Sequence, residues 1–284
     1  MKKNFFKLTL LAAITLIFLG VAAFFYFPAP GQIPVLMYHF IGDKDTAALE
    51  KNHVSRESFT RQMEFLKSFG YRVISIEEYY EIRTGVRKPR GREVLLTFDD
   101  GNYTFASEAM PVLSKFHFPA TIFLISEFVK SGEYGSMKEE QVREILKQGG
   151  VSVGSHTKTH PFLSKIPEAQ LRDELEGSKK DLEALFDRPI RFIAYPSGDL
   201  SPQVLEAAQK AGYELGFTTS PKKLKGLPSG AYSITRVKIS RTSDSAIAFW
   251  FKLSGLYGSF KTIRAAQHFQ SLPAKAAAPQ TAAA

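Results

Sequence analysis

Val94-Leu95-Leu96-Thr97-Phe98-Asp99-Asp100-Gly101 is the stretch on which the fold turns. An apolar run closed by two acids and a glycine reads as a buried strand ending in a polar turn. Neighbours on a strand face opposite sides, but at a strand end the chain can bring both acids into one cleft. An Asp-Gly pair is also a common turn former. A turn alone does not require two acids after so apolar a run, so Asp99 and Asp100 are read as functional.

Working outward, runs of similar character recur at residues 34–38, 72–75, 120–125, 151–154, 191–195, 214–218 and 234–238. Helical patterns lie between them. Phe59, Met63 and Leu66 form one apolar stripe, stopped by Gly70, and Leu171, Leu175, Leu182 and Leu185 form another. Ser201-Pro202 opens a third helix in the cap-then-proline manner, and Gly212 stops it. Strands alternating with helices predict an α/β fold with a parallel sheet, and seven or eight strands are enough to close a barrel. The polar residues then fall in a pattern. His39 follows the first strand and Asp99 and Asp100 follow 94–98. His156 and His160 follow 151–154, and Pro196-Ser197-Gly198 follows 191–195. In a parallel α/β barrel these strand ends converge on one face, where such folds place their active sites.

His156 and His160 are four residues apart, which on a helical turn places both imidazoles on one face. Alone they read equally well as surface residues. With an acid from another strand end they make a two-histidine, one-carboxylate set with an open position for water. Zinc suits these donors, with nickel, cobalt, iron and manganese as alternatives. The chemistry expected is hydrolysis: a divalent metal activating water, the non-ligating carboxylate as base, and His39 as proton donor to the leaving group. Tyr195, Pro196 and Ser197 are assigned to oxyanion stabilisation or substrate contact. His53 and His117 read as structural or solvated, and His268, near Arg264 and Gln267, is assigned no role.

The chain has 284 residues, 44% hydrophobic and 23% charged, which excludes wholesale disorder. It has no cysteine, which excludes disulfides, thiolate metal sites and cysteine nucleophiles. The net charge of +9 is spread along the chain without a nucleic-acid-binding module, so no nucleic-acid partner is expected. Lys2, Lys3 and Lys7 precede an uncharged run at residues 8–27, long enough to cross a bilayer. This predicts a single-pass anchor in the cell membrane with the rest of the chain outside the cytoplasm. Val21-Ala22-Ala23 offers small residues for signal cleavage, but Phe24-Phe25-Tyr26-Phe27 extends the apolar run and favours an uncleaved anchor. The expected organisation is residues 1–30 as stub, anchor and linker, 31–272 as one catalytic domain, and 273–284 as a disordered tail.

Thr97-Phe98-Asp99-Asp100-Gly101 and His156-Thr157-Lys158-Thr159-His160 together resemble the first and second motifs of the polysaccharide deacetylases, carbohydrate esterase family 4. The resemblance covers roughly residues 33 to 240. It implies a distorted (β/α) barrel, a divalent metal on Asp100, His156 and His160, and Asp99 as base. It also implies removal of N-acetyl groups from an amino-sugar polymer such as poly-N-acetylglucosamine, peptidoglycan or a chitin-like chain. The third motif departs from the family's pattern: Ala194 stands where an arginine two residues before Pro196 is usual. Arg236, at the end of a late strand, is the expected substitute. Pro34-Val35-Leu36-Met37-Tyr38-His39 opens the domain, which resembles the circularly permuted branch that includes poly-β-1,6-N-acetylglucosamine deacetylases, where the opening histidine is the general acid. Two other readings stay open at this stage: a glycan-binding module on an inactive barrel, and a different metalloenzyme with the same ligand set, such as an iron oxygenase.

Overall fold

The computed structural model of the chain describes residues 33–42, 52–219 and 230–255, together with Thr15. Eleven strands occur among the described residues, in chain order β1 (Val35–Tyr38), β2 (Phe40–Ile41), β3 (His53–Val54), β4 (Arg72–Ile74), β5 (Glu93–Phe98), β6 (Ala120–Leu124), β7 (Val151–Ser155), β8 (Phe192–Ala194), β9 (Leu215–Thr218), β10 (Ile234–Thr235) and β11 (Val237–Lys238). β5 is buried at every residue because it has neighbours on both edges. β1 runs parallel along one edge, with Val35 opposite Leu95 and Tyr38 opposite Phe98. The other edge is shared: β4 pairs its first half and β6 its last two residues.

The main sheet runs β10-β9-β8-β7-β6-β5-β1-β11, and every pairing in it is parallel. Its two ends belong to one stretch of chain. β10 pairs with β9 and β11 with β1, and only Arg236 separates them. That stretch draws the edges together into a nearly closed barrel, with helices filling the crossovers as parallel strands require. The single strand expected at 234–238 is therefore two short ones. The chain leaves one neighbour and joins the other at Arg236, whose own N–H bonds the Thr218 carbonyl at 2.9 Å.

Strand alternation sorts the core into two layers. Leu95, Phe123, Phe192, Ala194, Leu215, Phe217 and Ile234 belong to one cluster, within the barrel. Leu96, Phe98, Ile122, Leu124, Ile193 and Tyr195 belong to a larger one, shared with the helices. The helix Arg56–Ser68 buries Phe59, Met63 and Leu66 in that outer layer, is capped by Ser55, and gives way to Gly70 at φ +67°. Ser201 caps the helix Pro202–Lys210 by accepting from the Val204 N–H. The Leu171–Leu185 stripe differs from the single regular helix its spacing predicts. Glu168–Arg172 and Ser178–Phe186 are joined by a wide π turn, Asp173–Gly177.

His53 is buried in β3 with its ring on the Gly42 carbonyl, and His117 is the exposed left-handed cap of the helix Met110–Phe116, and neither belongs to the group that could hold a metal. Among the described residues, no helix is long and apolar enough to cross a membrane. The expected anchor at 8–27 (Thr15 apart), the linker, His268 and the tail lie outside the described residues.

Candidate active site

Alternation along β5 puts Leu95 and Thr97 on the barrel's inner side, and Asp99 continues that parity. Asp99 is 2% exposed, and its N–H extends the ladder to the Tyr38 carbonyl. By the same rule Asp100 would face outward. It instead adopts φ +67°, followed by Gly101 at φ +65°, and the chain turns so that its carboxylate also enters the cleft, 41% exposed. Gly101 suits this turn through its left-handed conformation, and a side chain there would also have to displace Leu124 Cδ2, 2.6 Å away.

Asp100, His156 and His160 each present one donor atom, all within 4.8 Å of one another. His156 Nε2 is 3.4 Å and His160 Nε2 3.7 Å from Asp100 Oδ1, and the two rings meet edge to face at 4.8 Å. His156 Nδ1 donates to the Ala194 carbonyl at 2.7 Å. This bond fixes the tautomer that leaves the Nε2 lone pair facing Asp100. The donor set fits a divalent cation: two imidazole nitrogens and a carboxylate, with the Asp100 side chain 41% and that of His160 33% exposed. Burial would raise the Asp100 carboxyl, yet the imidazoles of His156, His39 and His160 hold it well below the usual range. Burial would likewise lower His156, but Asp99, Asp100 and the Ala194 carbonyl raise it, whereas burial and His156 lower His160.

The helical turn expected between the two histidines is not formed. Residues 156–160 are an irregular loop with Thr157 at φ +68° and His160 at φ +64°. Positive φ at a β-branched residue is uncommon and persists only where its surroundings enforce it. Here they do. Ser126 and Glu127 N–H groups bond the Thr157 and Lys158 carbonyls, and Thr157 Oγ1 accepts from the His160 N–H at 3.1 Å. Glu174, 2% exposed, accepts from the Lys158 N–H at 2.8 Å, the Thr159 N–H at 2.9 Å and the Thr159 hydroxyl. The π turn Asp173–Gly177 carries Glu174 to this loop. Sequence reading missed this residue, since an acid within a helical run looks like solvated surface.

Arg236 lies wholly inside the barrel and donates to both oxygens of Asp99, Nη1 to Oδ1 and Nη2 to Oδ2, each at 2.6 Å. Its Nη1 also reaches Thr97 Oγ1 at 3.3 Å. Asp99 Oδ2 still faces His39 Nε2 and His156 Nε2, both at 3.9 Å. Burial works to raise the Asp99 carboxyl, but Arg236 first and then His156 outweigh it, keeping the acid ionised. His39 is lowered by burial, against which Asp99 and Asp100 pull upward.

The segment after β8 corrects one assignment. Tyr195 follows the outward parity of Ile193, is fully buried, and donates its hydroxyl to the Tyr232 carbonyl at 3.1 Å, so its ring cannot touch a substrate in the cleft. The strand's parity already carries that information. Pro196 is buried and Ser197 is exposed at φ +53°. A side chain at Gly198 would collide with the Thr219 backbone nitrogen at 2.6 Å, so the turn lies tight against the end of β9. Ala194, where the resemblance leads one to expect an arginine, is fully buried inside the barrel, and Arg236 reaches Asp99 from the closing strand instead.

Comparison with known proteins matches residues 86–216 to the family described as Polysaccharide deacetylase. The YxkH protein of Bacillus subtilis (strain 168), named for the polysaccharide deacetylases, is 34% identical over 211 residues, covering 74% of this chain and 72% of its own. The poly-beta-1,6-N-acetyl-D-glucosamine N-deacetylase of Staphylococcus aureus (strain MRSA252) is 28% identical over 215 residues, 72% of each chain. Among solved structures, the Streptococcus pyogenes deacetylase PplD in complex with acetate superposes with a TM-score of 0.71 at 29% identity, covering 79% of this chain and 99% of that one. The chain belongs to the polysaccharide deacetylase family.

Proposed function

We propose that the protein is a metal-dependent N-deacetylase of an extracellular amino-sugar polymer, cleaving the acetamide to acetate and a free amine. The observation that carries this reading is the division of two adjacent carboxylates. Asp100 turns to His156 and His160, while Asp99 is gripped by Arg236 through both oxygens and falls outside that group of three, with Oδ2 3.9 Å from His156 Nε2. An open metal site needs the first arrangement, and water activation by a base that is not a ligand needs the second.

Asp100, His156 and His160 would hold the cation, with zinc the ion their donors suit. When bound, such an ion polarises the acetyl carbonyl and acidifies water. Asp99 Oδ2 takes a proton from the attacking water as its oxygen bonds the carbonyl carbon. Arg236 keeps that carboxylate aimed and ionised. His39 Nε2, 3.9 Å from the same oxygen, protonates the sugar nitrogen as the C–N bond breaks. Burial lowers its pKa, while Asp99 and Asp100 pull it upward. The proton collected by Asp99 then restores His39. Ser197, exposed on the turn after β8, is the residue assigned to the oxyanion.

Two similarities support the substrate class: a Staphylococcus aureus relative named for poly-β-1,6-N-acetylglucosamine, and a structural neighbour solved with acetate. The order of His39, then the carboxylates, then the histidines supports the permuted branch. The lysine-flanked run at 8–27 supports an anchored enzyme working outside the membrane. Acetate release from poly-N-acetylglucosamine, peptidoglycan and chitin oligomers tests the reading, with Asp99→Asn as control. Release from at least one polymer, lost in the variant, is expected. Glycan binding without release from any of them would instead favour a binding module.

A further inference from the structure

Six large apolar side chains stand exposed among the described residues, and Tyr103 and Tyr134 are two of them, at 49% and 81%. They are adjacent through a strap of backbone. The Tyr103 N–H bonds the Gly135 carbonyl at 2.8 Å, the Met137 N–H bonds the Gly101 carbonyl at 2.8 Å, and Ser136 Oγ donates to the Asp100 carbonyl at 3.3 Å. A Cβ on Gly135 would rest 3.4 Å from Tyr103 Cδ1, so that ring lies along the strap. Tyr134 is held at φ +52°, and its ring packs 4.7 Å from Phe128. Phe128 belongs to the helix Ser126–Ser131, whose first N–H groups bond the loop between His156 and His160. Both rings are thus fixed to the loops that carry the metal-ligand set, yet they contribute no atom to it.

We propose that Tyr103 and Tyr134 form a stacking platform for the sugar rings that flank the acetamide being hydrolysed. The inference rests on the reading of the protein as a glycan deacetylase. A pyranose has an apolar C–H face and a hydroxyl rim, and a tyrosine ring with its hydroxyl tip matches both. A polymer whose acetamide enters the cleft must lay its neighbouring rings on the lip, and this lip is held in place by three hydrogen bonds to Asp100, Gly101 and Tyr103. Exposed aromatics held rigidly in this way bind with little ordering cost.

Binding and turnover are measured with the full chain, using a β-1,6-linked N-acetylglucosamine pentamer and the N-acetylglucosamine monomer. In the turnover-deficient Asp99→Asn background, Tyr134→Ala and Tyr103→Ala should each weaken pentamer binding roughly three- to tenfold. In the active protein the same substitutions should raise KM for the pentamer by a similar factor, keep kcat within about twofold, and leave kcat/KM for the monomer unchanged. Tyr134→Phe should stay near the parent, and Val86→Ser, an exposed apolar residue in the loop entering the far end of β5, should change nothing. Unaltered pentamer binding, equal losses on pentamer and monomer, or a changed oligomeric state with unchanged glycan binding would each overturn the platform. If the parent binds the pentamer and the tyrosine variants bind it less well, yet no acetate is released, the platform stands and the deacetylase reading falls.

Discussion

The two ends of β5 each carry a buried carboxylate, and the protein treats them in opposite ways. At the entry end, Glu93 is saturated: its oxygens accept from the Arg90 and Gly91 N–H groups and from Arg72 Nη2. Arg72 extends the arrangement to Glu78, which Arg87 also holds. At the exit end, Asp99 is gripped by one guanidinium but keeps Oδ2 facing two imidazoles at 3.9 Å, and Asp100 has imidazole neighbours at 3.4 and 3.7 Å. Backbone strain is present at both ends, since Arg92 stands at φ +60° beside Glu93. Of the eight non-glycine residues with positive φ among the described residues, Asp100, Thr157, His160 and Ser197 lie in the active loops. His117 and Asp187 cap helices, where that conformation is ordinary. Full satisfaction marks a carboxylate that holds the fold. Partial satisfaction marks one that has chemistry to do.

The comparison breaks most easily at Arg236. Arg236→Met leaves Asp99 buried without its partner, which should cost about 3–5 kcal/mol of stability and lower kcat/KM by about a hundredfold or more through misplacement of the base. Thermal melting and acetate release check the two effects, and a melting point equal to the parent's would contradict the buried pair. Arg236→Lys should rescue only part of the activity, because an ammonium cannot make the two-pronged contact.

Glu174 comes next in size. Glu174→Ala frees three donors in the histidine loop and should weaken metal affinity roughly 10- to 100-fold. Titration with zinc against a competing chelator reads this directly, and unchanged affinity would show that the loop holds its shape without the acid.

Glu93→Gln should have the smallest effect, about 1–3 kcal/mol of stability with kcat/KM unchanged. Burial would raise the Glu93 carboxyl, but the Arg90 N–H and Arg72 hold it below the ordinary value. A depressed folded pKa contributes stability that is full above the unfolded carboxyl's value, near pH 4.3, and is lost as pH falls through the folded value. The variant's stability should therefore fall less steeply than the parent's below about pH 4, and parallel acid limbs would sink that assignment.

Much of this was readable in the sequence, for reasons that differ by residue. The strand cores were legible because a strand buried on both faces is an unbroken apolar run, as at Val94–Leu96. Convergence of His39, Asp99, Asp100, His156 and His160 followed from parallel topology alone. What spacing could not carry was backbone sign. Nothing in His156-Thr157-Lys158-Thr159-His160 announces positive φ at Thr157 and His160, so the helical turn expected there gave way to a loop pinned by Glu174 from another element. The break at Arg236 was hidden because it arises from a change of strand neighbour, a property of closure and not of local propensity. Tyr195 was misassigned for want of a parity count along β8.

The central claim is that two adjacent acids have separate tasks, and zinc binding measured by calorimetry in Asp99→Asn and Asp100→Asn tests it most directly. Asp99→Asn should bind zinc as tightly as the parent while releasing no acetate, and Asp100→Asn should lose most of its zinc affinity. Equal zinc affinities in the two variants would contradict the division.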